Sequence, residues 1–575
     1  MVNRSSALIV AGSLFQLLAA CSSAPAPSSD QASLSPDQAF LPNGEPIAPQ
    51  SFAPSTDRTI EPVAALASED ASGILADSSP VSVVSNKRRT DERFLRPVLT
   101  LDDDAGLTLP DGLPIGAEVG YVVVDLDRGT TIAQRHADRD HIPASSAKLA
   151  TAVMAIELLG ADHRFRTELR TTGPIEDGVL KGDLILKGGG DPVLDIPDLM
   201  PLIDALVSQP LRRIEGRFLI DDTTLPRFTE IELTQPTEAA YNPGVGALSL
   251  AFNRVNLRWQ NRKGLTAETV PHLDEASFEK AVKDRLPPGG VQLKQLKGGE
   301  AVWQLADRGA RRAKRSLPVK DAGLHAGQVF ADLARLYGID LPPPERSTES
   351  ATSQLLAVHE SRPLGQLVRD MLWYSNNLVA ELIGLAAAKT VNPELTSLEM
   401  SAETILAQLK ERLPDMSWEG AQLRNHSGLS SDSRLTPAQL AAVLRHGWSE
   451  GLLASMLPGS GWSGTLVRRF AGPDQAFRVW AKTGSMNYVV SLGGILLSPS
   501  HAPAAFVIMI SDEKARAAYD AASRRTREGE RRARAWRDDV EEVMDKIVER
   551  WLDPAIDPSS RDLYALSQSE EAATQ

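Results

Sequence analysis

Pro143-Ala-Ser-Ser-Ala-Lys-Leu149 is the stretch on which the reading of this 575-residue chain turns. Before it, Glu118 to Asp125 and Thr130 to Arg135 read as two strands joined through Asp127-Arg-Gly129. After it, Ser145 to Leu159 reads as a helix with Leu149, Ala152, Val153, Ile156 and Leu159 on an apolar face and Gly160 as its stop. Ser145 and Lys148, three residues apart, therefore share one face of the first turn. The helix N-terminus favours negative charge developing on the Ser145 oxygen, and burial of Lys148 would lower its pKa towards a value at which it accepts a proton. The same spacing recurs at Ser277-Phe-Glu-Lys280 and Ser511-Asp-Glu-Lys514, but acidic neighbours there predict an exposed, protonated lysine. The small apolar helix after Ser145 is what sets it apart.

Two further segments carry matching chemistry. Tyr374-Ser375-Asn376-Asn377 stands at the start of, or just before, a helical run within Leu364 to Lys389. By itself it reads as a helix cap, since Ser and Asn favour that position, yet Ser375 and Asn377 can also point a hydroxyl and a carboxamide into a cleft. Ser485-Met486-Asn487 repeats the pattern as a decoy. Lys482-Thr483-Gly484-Ser485 occurs once, next to the strand-like run Asn487 to Leu492. On an edge strand, Gly484 admits a substrate backbone while Lys482 and Thr483 offer a cation and a hydroxyl to a carboxylate. The plainer alternative is a strand edge blunted by lysine.

In this chain order Ser-x-x-Lys, Ser-x-Asn and Lys-Thr-Gly are the set of penicillin-binding proteins and class A β-lactamases. The chain resembles the class C low-molecular-mass penicillin-binding proteins, the D-alanyl-D-alanine carboxypeptidase/endopeptidase family, because 230 residues separate Ser145 from Ser375. Gly182-Asp-Leu-Ile-Leu-Lys-Gly-Gly-Gly-Asp-Pro192, Tyr241-Asn-Pro-Gly, Ser375-Asn-Asn-Leu-Val-Ala-Glu381, Ser427-Gly-Leu-Ser430 and Gly464-Thr-Leu466 look like further blocks of that family, within residues 95 to 510. One departure is Asn425-His426, where the family usually has an acidic residue and a glycine, a change expected to fall on the cleft wall.

The resemblance implies an α+β fold: a penicillin-binding transpeptidase/β-lactamase-like domain, an antiparallel sheet with helices on both faces, carrying a large strand-rich insertion after the nucleophile helix. It implies Ser145 as nucleophile, Lys148 as the acylating base (an assignment that varies across the superfamily) and Ser375 as the proton relay. Asn377, Lys482, Thr483 and Gly484 would bind substrate, and the backbone of Ser485, with that of Ser145, would form the oxyanion hole. The implied substrates are peptidoglycan stem peptides, with β-lactams as covalent inhibitors and no cofactor. The alternatives are a non-catalytic wall-binding scaffold, or a β-lactamase or D-amino-acid peptidase on the same fold.

Outside these motifs, a net charge of −14 argues against a nucleic-acid binder. The nine histidines lack a spacing such as His-Glu-x-x-His, so a zinc hydrolase and any metal site are not expected. The single cysteine, Cys21, ends the run Leu18-Ala-Ala-Cys21 behind an apolar stretch too short to span a bilayer. It reads as a lipoprotein signal (residues 1–20) with Cys21 carrying lipid, and the resemblance to bacterial lipoproteins implies through Ser22 the outer membrane of a Gram-negative cell, hence a periplasmic, lipid-anchored protein. Residues 21–93, rich in Ser, Ala, Pro and Asp, read as a disordered tether. Residues 94–165 and 336–575 are expected to form the catalytic domain, and 166–335 the insertion. The charged segment from Glu513 to Trp551, with arginines at 524, 525, 527, 531, 532 and 534, reads as a solvated helical surface.

Overall fold

The computed structural model describes residues 109–552 except 210, 262–264, 272–277, 281–289, 296–300, 307–312, 348–351, 499–500 and 523–525. The signal, the tether, Cys21 and Ser277 lie outside the described residues. One sheet joins strands from the two ends of the described chain. Its strands are β1 (Glu118–Asp125), β2 (Thr131–Arg135), β17 (Val479–Met486), β18 (Val489–Leu496) and β19 (Ala504–Ser511), in the order β17-β18-β19-β1-β2. Every neighbouring pair is antiparallel.

Side chains alternate between the two faces of a strand, and here both faces are covered. From β19, Ala505, Val507 and Met509 pack with the helices α1 (Lys148–Leu159), α4 (Leu364–Tyr374), α5 (Asn377–Val391), α6 (Leu398–Arg412) and α7 (Pro437–Ser449). Phe506, Ile508 and Ile510 pack instead against Trp536, Val540, Val543, Met544, Ile547, Val548 and Trp551 of a C-terminal helix, Arg527–Leu552, called α9 because α8 (Glu513–Asp520) precedes it. The expected antiparallel sheet with helices on both faces is the one found. The charged C-terminal segment is not only a solvated surface: one stripe of α9 is apolar and closes the core, while Arg531 and Arg532 stay exposed.

α1 differs from the one-faced helix expected. Every residue from Lys148 to Ile156 is buried, because α1 runs through the middle of its helical layer. It also begins later than expected: Ala144–Ala147 forms a 3-10 turn, and Ala144 takes a left-handed φ of 46°. Ser145 therefore stands on a tight turn ahead of the helix.

The insertion builds its own sheets. β3 (Arg166–Thr171), β6 (Leu184–Gly188), β8 (Phe218–Asp221), β15 (Pro344–Arg346) and β16 (Gln354–Glu360) form a mixed sheet ordered β15-β8-β6-β3-β16. The helices α2 (Ile196–Ser208) and α3 (Ala322–Leu336) pack with it around Leu186, Phe218, Ile220 and Phe330. β4 (Ile175–Glu176), β5 (Val179–Leu180) and β7 (Arg213–Ile214) make a small ribbon. β9 (Arg254–Asn261), β10 (Leu265–Val270) and β14 (Ala313–Pro318) form one three-stranded sheet, and β11 (Phe278–Lys280), β12 (Val291–Gln295) and β13 (Ala301–Leu305) another. The expected end of the insertion at residue 335 is too early. β16 pairs antiparallel with β3, so the inserted sheet runs on to Glu360.

Candidate active site

The helical run read across 364–389 is broken at Ser375, which ends α4 in the left-handed conformation, φ 54° and ψ 34°. Asn376 then caps α5, its Oδ1 accepting from the Val379 amide at 3.2 Å. The capping role thus falls to the middle residue of Ser375-Asn-Asn377, leaving the outer two side chains for the cleft.

Lys148 is fully buried, and an ammonium there must find partners for all three protons. Its Nζ donates to Ser145 Oγ at 3.0 Å, Asn377 Oδ1 at 2.8 Å and the Ser427 carbonyl at 2.8 Å. When this amine is neutral, its two protons stay on Asn377 and Ser427, and its lone pair faces the Ser145 hydroxyl. Asn377 cannot turn its amide over without loss, because its Nδ2 donates to the Tyr241 carbonyl at 3.1 Å. Tyr241 belongs to the insertion, which packs on α5 through Leu225, Ile231 and Val245 against Leu378, Leu382 and Leu385.

Lys482, equally buried, lies on β17, the edge of the sheet. Its Nζ donates to Ser375 Oγ at 2.9 Å and to the Thr483 carbonyl. The Val479 and Ala481 amides donate away from β18, to Ser460 Oγ and the Pro458 carbonyl. By strand alternation, the amides of Thr483 and Ser485 also point off the edge. Thr483 Oγ1 is bonded to Thr465 Oγ1 at 3.0 Å. Ser485 Oγ is buried and finds no partner among the described residues.

A Cβ on Gly484 would stand 2.3 Å from Ser491 Oγ, 2.8 Å from the Ser146 amide and 2.9 Å from the Pro143 carbonyl. The absent side chain lets the turn that carries Ser145 lie directly on β17. Ser146 and Ser491 hydroxyls both donate to the Pro143 carbonyl, at 2.6 and 2.7 Å, and pin the turn there.

Ser145, Lys148, Ser375, Asn377, Lys482, Thr483, Gly484 and Ser485 thus converge from three distant parts of the chain. The Ser511–Lys514 pair does not share this geometry: Ser511 Oγ is bonded to His141 Nδ1 at 3.1 Å and Lys514 is exposed. A model of the D-Ala-D-Ala carboxypeptidase 3 (S13) family matches residues 108–528. The chain belongs to that family. It is 28% identical over 445 residues to the D-alanyl-D-alanine carboxypeptidase of Actinomadura sp. (strain R39), covering 69% of this chain and 79% of the relative. It is 26% identical over 427 residues to D-alanyl-D-alanine carboxypeptidase DacB of Haemophilus influenzae, covering 70% and 87%. The crystal structure of penicillin binding protein 4 from Haemophilus influenzae superposes with a TM-score of 0.62 at 22% identity, over 75% of this chain and 97% of that one. S13 membership and this fold bear out the resemblance read from the motifs.

Three groups at the site were not assigned a role from sequence: the carbonyls of Tyr241 and Ser427, and Thr465. Backbone carbonyls have no residue-type signature, so only the Tyr241-Asn-Pro-Gly and Ser427-Gly blocks hinted at them. The expected change of the cleft wall at Asn425-His426 is not seen in the side chains. Both are buried, Asn425 Oδ1 taking the Leu429 amide at 3.0 Å, and what reaches the cleft is the Ser427 carbonyl. Among the described residues, no group of three or more His, Cys, Asp or Glu is placed to hold a metal ion.

Proposed function

We propose that this chain is a serine-type D-alanyl-D-alanine carboxypeptidase, endopeptidase or both, acting on peptidoglycan stem peptides through an acyl-enzyme at Ser145. The observation that carries this reading is the Lys148 amine, held by Asn377 and Ser427 and set 3.0 Å from Ser145 Oγ. Ser145 Oγ attacks the carbonyl carbon of the D-alanyl-D-alanine bond while its proton passes to Lys148. The oxyanion forms opposite the amides of Ser145 and Ser485, where loss of one donor costs about 2.7–4 kcal/mol in comparable acyl transfer. The proton taken up by Lys148 then passes through the hydroxyl of Ser375, itself in contact with Lys482, to the departing amine as the C–N bond breaks, which leaves Lys148 neutral again. Water then attacks the ester, gives its proton back through Lys148, and releases the peptide carboxylate and free Ser145. Lys482 and Thr483 bind the terminal carboxylate, and Asn377 the substrate amide.

A β-lactam presents a strained amide to the same groups and acylates Ser145; the Haemophilus influenzae penicillin binding protein 4 has been crystallised with a β-lactam. The test is to incubate the purified full-length protein and its Ser145→Ala variant with a fluorescent penicillin and map the adduct by mass spectrometry. Label on Ser145, absent from the variant, is the expected result. A folded protein that takes no label would return the weight to the wall-binding scaffold, and rapid turnover of the drug would favour a β-lactamase. Free D-alanine from a pentapeptide, or cut cross-links from a dimer, identifies the substrate.

The anchoring at Cys21 is proposed on sequence alone. Several acyl chains there would hold the protein at the periplasmic face of the outer membrane, each buried methylene contributing about 0.8 kcal/mol. Incorporation of labelled fatty acid, lost in Cys21→Ser, is the corresponding measurement.

A further inference from the structure

Glu381 lies one turn into α5 beyond Asn377 and is completely buried. A carboxylate so placed needs donors, and it has them. Oε2 accepts the His426 amide at 3.0 Å and Oε1 the Ser427 amide at 2.9 Å, and the Ser427 hydroxyl also bonds to it. The next carbonyl along, that of Ser427, is the one that takes Lys148 Nζ. We propose that Glu381 is the positioning residue for acyl transfer: by clamping the amides of 426 and 427 it fixes the Ser427 carbonyl, and through it holds Lys148 on the Ser145 hydroxyl. This deepens the reading of Ser145 as nucleophile and rests on it.

The surroundings make the clamp specific. Thr151 Oγ1 donates to the His426 carbonyl at 2.9 Å, tying the loop to α1, and His426 Nε2 meets Ser401 Oγ of α6 at 2.7 Å. Gly428, left-handed at φ +72°, gives room to the Ala144 carbonyl of the nucleophile turn. Two titratable groups face Glu381. His426, on the loop, is held neutral by burial, its pKa lowered to about 3. Lys148, on α1, is the charge opposite; Lys482 on β17 is the second cation of the cleft. Burial raises the Glu381 pKa, while the Ser427 and His426 donors and the Lys148 charge pull it down. An ionised Glu381 favours the ammonium form of Lys148, so removing its charge lets Lys148 lose its proton at lower pH.

The experiment compares wild type, Glu381→Gln and Glu381→Asp as full-length proteins. The readouts are the rate of labelling by a fluorescent penicillin across pH, the affinity of the initial non-covalent complex, and the titration of the 15N-labelled Lys148 amine by NMR. Glu381→Gln is expected to acylate about 100-fold more slowly, as for an ångström of misplacement. Initial affinity should be little changed, and both the rising limb and the Lys148 titration should move to lower pH. Glu381→Asp should restore the limb and part of the rate. A folded Glu381→Gln with wild-type rate and limb overturns the proposal. So does a slower variant whose Lys148 titration has not moved, the mark of a merely structural role. If Glu381→Gln does not fold, Ser427→Ala and Glu381→Asp decide by the same readouts, since Ser427→Ala removes one donor and keeps both amides. Wild type that takes no penicillin while Glu381→Gln still shifts Lys148 would sink the nucleophile reading and leave this coupling standing.

Discussion

The Asn377 side chain donates to the carbonyl of Tyr241 at 3.1 Å, across 136 residues of sequence. Its other end accepts from Lys148 at 2.8 Å, so the insertion braces the amine through one carboxamide. Asn377→Ala cuts both links. A hydrogen bond to a charged group contributes about 1.5–3 kcal/mol, so penicillin labelling of Ser145 should slow by at least about tenfold. Labelling within twofold of wild type would show that Asn377 does not hold Lys148.

Gly428 and Gly420 share the same backbone, φ +72° and +71°, but not the same surroundings. A methyl on Gly428 would meet the Ala144 carbonyl at 1.9 Å, whereas nothing lies within 4 Å at Gly420. Gly428→Ala should add about 1–3 kcal/mol of overpacking to the common backbone strain and disturb the turn that presents Ser145. Gly420→Ala should pay only the strain and keep its labelling rate. Equal behaviour in thermal unfolding and penicillin labelling would remove the contact from consideration.

Two buried histidines predict a specific loss of stability in acid. Burial lowers His141 to about 4 and His426 to about 3, against about 6.5 in an unfolded chain. Below pH 6.5 the unfolded chain takes up protons that the folded one refuses, so stability is fully present above that value and falls as pH drops towards 4 and 3. At pH 5 each histidine should have cost about 2 kcal/mol. Denaturant unfolding at pH 7.5 and pH 5 should show His426→Asn losing about 2 kcal/mol less than wild type. An identical loss in both would mean that carboxylates govern the acid limb.

Trp551, buried against Tyr121 and Phe506, anchors the last turns of α9 on the sheet. Trp551→Ala should destabilise the protein by about 3–5 kcal/mol, read as a lowered midpoint, with Ser145 still labelled below that midpoint. An unchanged midpoint would mean that α9 is dispensable for the core.

The three motifs were legible because their chemistry needs particular side chains at fixed spacings. The strand-like run from Asn487 to Leu492 beside Lys482 falls on β18, and the edge strand supposed for Lys482 is β17. Position 375 was harder. A left-handed serine between two helices leaves the apolar pattern of 364–389 almost unbroken, so only the capping preference of Ser and Asn marked a helix start there. The insertion's end was misplaced because β16 finds its partner β3 nearly two hundred residues earlier, and pairing at that distance leaves no local trace. The apolar stripe of α9 was within reach: Trp536, Val540, Val543, Ile547 and Trp551 recur at three and four, hidden only by the charge around them. Glu381 ends the block Ser375-Asn-Asn-Leu-Val-Ala-Glu381 without a role legible there, since nothing in one sequence tells a buried carboxylate from an exposed one.

β1 lies beside β19, Val122 facing Val507, so the first strand of the sheet waits for its last. A growing chain displays Ser145 and Lys148 early, but Lys482 and the strand that closes the sheet arrive only after the insertion has been made. Contacts of such long separation form slowly and leave hydrophobic strand surface open meanwhile. The contiguous insertion can fold before the sheet around it closes. Competence to react with a β-lactam is therefore a late event in the biogenesis of this polypeptide, and a chain truncated before residue 504 would carry all three motifs and still lack a site.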